Sequence, residues 1–279
     1  MQEWAAELPG SPETIRKVVN VLSGALQLAV DDGRRPVNPA VKLKLPKRVR
    51  TIKRYLTHDQ VAALAQSVGD RSKGSYYGYD VLVLTLAYCG LRWGELSGLR
   101  VRDLDLPRRR LIVQQTVVAD KGYQRVEPPK NYEHRSIPIP RFLVDALRAQ
   151  TRGRSGDDPV FYGSRTKIWL RNHTFRNGWF DPAAAEIGLE GLTPHELRHT
   201  AASLAVSAGA NVKAVHRMLG HASASITLDV YADLFDDDLD AVAIALDRAA
   251  MKSSVAKVLP RSRFESPPTT KQKSPDTSD

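Results

Sequence analysis

The pentapeptide His195-Glu196-Leu197-Arg198-His199 carries the densest chemistry in the chain. It fits two patterns. In the first, His195 and His199 stand four apart on one helix face as zinc ligands, and Glu196 is the base of a metalloprotease. That pattern needs a third ligand. The extended zinc-protease signature would place Gly and His where Ala202 and Ala205 stand, and the next glutamate after Glu196 is Glu265. Arg198 would set a cation beside a dication, and choosing His221 or Asp229 as the third ligand would be ad hoc. In the second pattern His195 and Arg198, three apart, share a helix face, and Leu197, Ala201, Leu204 and Ala208 form the opposing apolar stripe. A guanidinium binds two oxygens of a phosphate, and an imidazole moves a proton near neutral pH. A surface helix with scattered polar side chains fits the same residues.

Other chemically loaded segments sit elsewhere. Gly90-Leu91-Arg92-Trp93-Gly94-Glu95 sets Arg92 and Glu95 three apart at a helix start. Pro129-Lys130-Asn131-Tyr132-Glu133-His134-Arg135-Ser136-Ile137-Pro138 puts a lysine ahead of a strand, although Lys121 is a rival for the same hairpin. Leu219-Gly220-His221 is followed ten residues later by Tyr231.

The elements that must hold these groups are mostly helical. Ser11-Pro12 caps a helix through Ile15, Val18, Val19, Leu22, Leu26 and Val30, which Gly33 and Pro36 end. Thr57 and Gln60 form a capping box for a helix to about Val68. An apolar helix is expected over Tyr76–Tyr88 and a short one around Leu91–Leu99. Leu111–Val118 reads as one strand of a small antiparallel sheet that also includes Ile137-Pro138-Ile139. Pro140 opens a further helix, and the chain reads helical again from Arg171. Thr193-Pro194 starts the helix of the pentapeptide, Asn211 caps the next, and Gly220 ends it. Short helices are expected around Tyr231 and after Asp236. The fold class is therefore mainly α with a small antiparallel β-sheet, an α+β arrangement.

Composition narrows the function. The 279 residues carry 41 Lys and Arg against 31 Asp and Glu, a net charge of +10. Nine of those cations (Arg34, Arg35, Lys42, Lys44, Lys47, Arg48, Arg50, Lys53 and Arg54) lie between Gly33 and His58, where no acid stands. A basic belt on a near-neutral body suits a polyanion such as DNA, though a solvated linker has the same composition. The belt lacks an apolar face for a membrane, and no apolar run reaches the length of a membrane span. The acidic N-terminal segment is not a secretory signal. A single cysteine, Cys89, offers no internal disulfide and no Cys-rich zinc site, so a cytoplasmic setting is expected.

Arg92 with Glu95, Lys130 ahead of Arg135-Ser136-Ile137-Pro138, His195-x-x-Arg198-His199, and Leu219-Gly220-His221 before Tyr231 occur together in the order and spacing of the tyrosine recombinases, the phage integrase family. The resemblance covers about residues 12–250. It implies site-specific cleavage and rejoining of double-stranded DNA at attachment-type sites, serving a phage or mobile element. Arg92 and Arg198 would clamp the phosphodiester, and Tyr231 would attack it to form a 3′-phosphotyrosyl link. Lys130 would protonate the leaving 5′-oxygen, His195 would assist proton transfer, and His221 would hydrogen-bond the phosphate. Glu95 would orient Arg92, and His199 would support by packing or hydrogen bonding. The covalent link stores the energy of the broken strand, so neither ATP nor a metal is expected. The chain has no phosphate-binding Gly-x-x-x-x-Gly-Lys-Ser/Thr, and the acids Asp236–Asp238 suit a helix start. A homotetramer on DNA is implied, with DNA-bending or excision accessory factors as possible partners.

The expected organisation is a partial helical DNA-binding domain over 1–42, a basic linker over 43–56, a catalytic domain over 57–250 and a disordered tail over 251–279. Lys42, Lys44, Lys47, Arg48, Arg50, Lys53 and Arg54 would contact DNA. Compared with the family, the chain reads as short at its N-terminus, so Val18, Leu22 and Leu26 are expected to lack helical partners and DNA binding to be weak. Two other functions fit parts of the sequence: the zinc protease, and a non-catalytic regulator using 193–208 and 211–219 as a helix-turn-helix. Stoichiometric zinc in the purified protein would favour the first. A regulator has no need of a phenol at 231, so an unchanged Tyr231→Phe phenotype would favour the second; the recombinase reading expects that variant to be inactive.

Overall fold

The computed structural model describes residues 1–47, 54–74, 78–120, 122–129, 134–163 and 169–220, with the single positions 244, 246 and 248. The chain divides into two compact units between Arg54 and Tyr55.

In the first unit, helix α1 (Gln2–Glu7) precedes helix α2 (Pro12–Asp31). The Ser11 side chain caps α2 by accepting from the Thr14 N–H, and Pro12 occupies the first turn. Ile15 and Val19 are buried against Ala5, with Leu8, Leu43 and Leu45 packed around them. The extended segment is fastened along the helices by specific bonds. The Gln2 amide both donates to Lys44 O at 3.0 Å and accepts from Lys44 N–H at 2.9 Å, as a backbone strand partner would. Arg16 Nη2 donates to Pro46 O at 2.7 Å. Helix α1 covers Ile15 and Val19 of α2, whereas Val18, Leu22 and Leu26 lie outside that small core and Val18 is 42% exposed. One expectation changes here. Leu43 and Leu45, read from sequence as linker, belong to this unit's small core.

The second unit is organised around helix α4 (Tyr79–Cys89), which is buried around most of its circumference, with Asp80, Leu84 and Tyr88 half-buried along one stripe. Helix α3 (His58–Ser72) packs along it, opened by the Thr57–Gln60 capping box. Helix α9 (Pro194–Ser207) packs on α4 as well, and α10 (Val212–Leu219) follows it. The short helix α5 (Trp93–Ser97) is anchored by Trp93 stacked on Phe175 with ring centroids 5.3 Å apart. Phe175 ends α7 (Asn172–Phe175), which runs through a π-helical turn (Arg176–Phe180) into α8 (Asp181–Glu186). Helix α6 (Arg141–Thr151) buries Leu143, Val144 and Leu147.

The sheet differs from the sequence reading. β1 (Leu104–Asp105), β2 (Arg110–Val113) and β5 (Arg135–Pro138) form a three-stranded antiparallel sheet in the order β1-β2-β5, with Leu111 opposite Ile137. β3 (Thr116–Asp120) and β4 (Tyr123–Glu127) form a separate hairpin. The single strand expected over Leu111–Val118 is thus broken at Gln114-Gln115. The Gln115 amide donates to Gly98 O at 2.8 Å, which turns the chain against α5. A Cβ on Gly94 would lie 2.5 Å from Thr116 Oγ1 and 2.7 Å from Val117 O, so only glycine admits this approach. The helix after Thr57 continues to Ser72, beyond the expected Val68, and the apolar helix begins at Tyr79. Of the elements expected after Gly220, residues 244, 246 and 248 are helical; Tyr231 and the tail 251–279 lie outside the described residues.

Gly94→Ala forces backbone against backbone and is expected to destabilise the protein by about 1–3 kcal/mol in urea unfolding. Gly24→Ala, in α2 with nothing within 4 Å of the new methyl, is expected to stabilise by up to about 1 kcal/mol. A neutral Gly94→Ala would mean that α5 and β3 are not so closely apposed.

Candidate functional site

Three guanidinium groups meet around a short stretch of backbone. Helix α4 ends at Gly90, and Arg92 forms the N-cap of α5 two residues later. The Arg92 backbone N–H donates to Glu95 Oε2 at 2.8 Å, and its Nη1 donates to Glu95 Oε1 at 2.9 Å. Its Nη2 donates to Gly220 O at 2.9 Å, beyond the end of α10. Arg198, 3% exposed on α9, donates from Nη1 to Gly90 O at 2.5 Å and from Nη2 to Leu219 O. Arg135, at the start of β5, donates from Nη1 and Nη2 to the two Glu95 oxygens at 2.8 and 2.6 Å, and from Nε to Met218 O at 3.1 Å.

The sequence builds each position locally. The Thr193–Glu196 capping box starts α9, so Arg198 falls on the buried face with Leu197, Ala201 and Ala202. Asn211 caps α10 by accepting from the Ala214 N–H, and Gly220 closes it in the left-handed region at φ 61°. A Cβ at Gly220 would stand 2.9 Å from Arg135 Cδ, so a glycine is needed for both the turn and the neighbour. The carbonyls that α10 leaves without helical partners, at 218, 219 and 220, each receive a guanidinium N–H instead.

Glu95 is almost fully buried. Burial pushes its carboxyl up, but the bonds and charges of Arg135 and then Arg92 outweigh this and hold it below the ordinary glutamate range. His195 lies one turn before Arg198. Loss of hydration around the ring lowers its pKa most, followed by the positive charges of Arg198 and Arg92, while Glu196 opposes. The imidazole is therefore neutral at pH 7 and able to accept a proton. Its ring stands edge-on to His199 at 5.1 Å. Glu196 Oε2 accepts from both Thr193 N–H at 2.8 Å and Thr193 Oγ at 3.0 Å, so this carboxylate is occupied as a cap and not poised as a protease base. Among the described residues no group of three His, Cys, Asp or Glu is placed to hold a metal. The Cys89 thiol is buried and pushed up to about 12, which removes it as a nucleophile.

Of the residues expected at the site, Arg92, Glu95, His195, Arg198 and His199 lie in this region. Lys130, His221 and Tyr231 lie outside the described residues, as do Arg48, Arg50, Lys53 and Lys121. Lys42, Lys44 and Lys47 are exposed on the first unit, and Arg54 is half-buried. Sequence reasoning gave no role to Arg135. Its signal was present, since it stands in the quoted Arg135-Ser136-Ile137-Pro138 stretch, but nothing in one dimension pairs it with Glu95.

The phage integrase family model matches residues 54–237. The chain belongs to that family, the tyrosine recombinases. The match takes in the Arg92, His195 and Arg198 cluster and the segment carrying Tyr231. This family member is 30% identical over 191 residues to tyrosine recombinase XerA of Thermococcus kodakarensis, covering 67% of this chain and 61% of that protein. It is 28% identical over 233 residues to tyrosine recombinase XerC of Mycobacterium tuberculosis, covering 81% and 76%. The chain thus spans about three-fifths of the length of the archaeal relatives it matches. Among solved structures, the Tn1549 transposon integrase in complex with transposon right end DNA superposes with a TM-score of 0.72 at 24% identity, covering 89% of this chain and 84% of that one. A lambda integrase dimer bound to a COC′ core site gives 0.57 at 19% identity, covering 78% and 59%. These superpositions establish the recombinase catalytic fold.

His195 is expected to titrate with a midpoint below the ordinary 6.5 when followed by NMR. Between its folded and unfolded pKa the unfolded chain binds the extra proton, so stability rises with pH through that window and falls as pH drops from about 6.5. His195→Gln should flatten that part of the stability curve; a midpoint above 6.5 would contradict the cationic surround.

Proposed function

We propose that this chain is a site-specific DNA recombinase that cuts and rejoins strands through a 3′-phosphotyrosyl intermediate. The observation that carries the reading is the convergence of Arg92 and Arg198 on the turn immediately before His221, with the His195 imidazole near enough to feel both charges. The nucleophile of this reading is Tyr231, ten residues further on and within the stretch that the family model matches.

A DNA phosphodiester is anionic and repels a nucleophile. Arg92, whose side chain is 38% exposed, keeps N–H groups for non-bridging oxygens, and Arg198 adds its charge from beneath. The Tyr231 phenol, ordinarily at a pKa near 10, gives up its proton as it attacks phosphorus. His195 assists that transfer. Phosphorus gains a bond to the tyrosyl oxygen and loses its bond to the 5′-oxygen, which Lys130 protonates. His221 hydrogen-bonds the phosphate. Attack by a 5′-hydroxyl on the phosphotyrosine reverses each step, so no ATP and no metal is consumed.

The DNA partner is supported by the basic segment 33–58 and by the solved integrases of the same fold, which are held on transposon-end and core-site DNA. Lys42, Lys44, Lys47, Arg48, Arg50, Lys53 and Arg54 would track the phosphates. Exchange between two duplexes calls for a homotetramer, aided by DNA-bending or excision factors, acting in the cytoplasm on phage or mobile-element DNA.

The full chain is to be incubated with a library of nicked duplexes carrying a randomised core, and DNA covalently attached to protein recovered and sequenced. A defined site is expected, with the adduct formed in EDTA and absent for Tyr231→Phe. Arg92→Ala should slow adduct formation by about 100-fold or more. An adduct that survives Tyr231→Phe, or no adduct from any duplex, overturns the reading.

A further inference from the structure

The Arg135 guanidinium has all three nitrogens committed, none of them to bulk solvent: two to Glu95 and one to Met218 O. The side chain is 12% exposed. Both groups that fix the end of Arg92 lean on it. Glu95 Oε1, which receives Arg92 Nη1, also receives Arg135 Nη1. Gly220 O, which receives Arg92 Nη2, belongs to the residue whose Cα packs on the Arg135 stem and guanidinium, with ideal-Cβ distances of 2.9 Å to Cδ and 3.1 Å to Nε.

Charge makes the same point. A lone Glu95 opposite Arg92 would form a neutral pair, and the attraction available to an external phosphate would fall. With Arg135 sharing the carboxylate, the described cluster of Arg92, Arg135, Arg198 and Glu95 keeps two net positive charges. The buried carboxylate is satisfied by Arg135, and Arg92 is free to face an anion without leaving a charge stranded.

We propose that Arg135 is a positioning residue for Arg92: it holds Glu95 and the turn after α10 so that the Arg92 charge is directed at the scissile phosphate instead of being spent on Glu95. This rests on the recombinase reading above and adds to it a residue without substrate contact. The fork matters as well as the charge, because three bonds in one plane reach two chain segments at once, which an ammonium head does not reproduce.

The test uses the full chain and the duplex recovered in the covalent selection, prepared with a phosphodiester or an uncharged methylphosphonate at the cleaved bond. Arg135→Met is expected to slow single-turnover cleavage of the phosphodiester by about 100-fold while duplex affinity stays within about threefold. The ratio of phosphodiester to methylphosphonate rates should fall by about tenfold, because the lost function is attraction to charge. A site that had only loosened would lose both rates alike and keep the ratio, which overturns the proposal. Arg135→Lys, the gentler change, should show the same fall in ratio at smaller amplitude and serves if the Met variant does not fold. Cleavage by both variants at the wild-type rate overturns the role of Arg135 alone. Wild-type protein that forms no covalent adduct overturns the recombinase reading, and this inference with it.

Discussion

A carboxylate out of water is stable only if its charge is answered close by, and Glu95 is answered twice. Arg92 approaches along the chain from three residues before it, and Arg135 crosses from the sheet. This one shared acid ties α5 to β5. Through the second arm of each arginine it also reaches the turn after α10. Arg198 closes the figure by joining the end of α4 to the same turn. The α4–α5 junction, β5, α9 and the turn after α10 are thereby registered on a few backbone carbonyls, and the cationic cluster they form is a consequence of how they are held together.

The rest of the second unit serves this arrangement. The apolar helix α4 delivers Gly90 to the centre with its flanks covered by α3 and α9. Trp93 clamps the first turn of α5 to Phe175, and the missing Cβ of Gly94 lets β3 lie against the same short helix. The capping glutamate of α9 stays with Thr193, so the helix start is fixed and His195 and Arg198, three apart, come out as neighbours one turn apart. The buried Arg198 and Glu95 are each answered within the interior, the arginine by backbone carbonyls and the carboxylate by two guanidinium groups.

Much of this was legible in one dimension. Caps at Ser11, Thr57, Thr193 and Asn211 were readable because a short polar side chain satisfies its own helix locally. The fold class followed from periodicity, and the family from four short motifs in order. The reading failed where a distant partner decided the outcome. Leu111–Val118 has the composition of one strand, yet the close approach of α5 and the Gln115–Gly98 bond divide it between two sheets. The fold-back of Leu43 and Leu45 onto Ile15 and Val19 was read as linker because it has no strong local signal.

For the site, residue type and spacing by themselves determined that Arg92 and Glu95 share a helical turn, that His195 and Arg198 share another, and that an anion would suit them, since contacts three residues apart are set by helix geometry alone. Only the tertiary structure decided that the two turns meet, that Gly220 and Leu219 carbonyls lie between them, and that Arg135 joins the group from 40 residues beyond Glu95. The physical reason is range. Local hydrogen bonding is written in neighbouring residues, whereas the sharing of one buried charge by two distant cations depends on which segments the packing of α4 brings within reach.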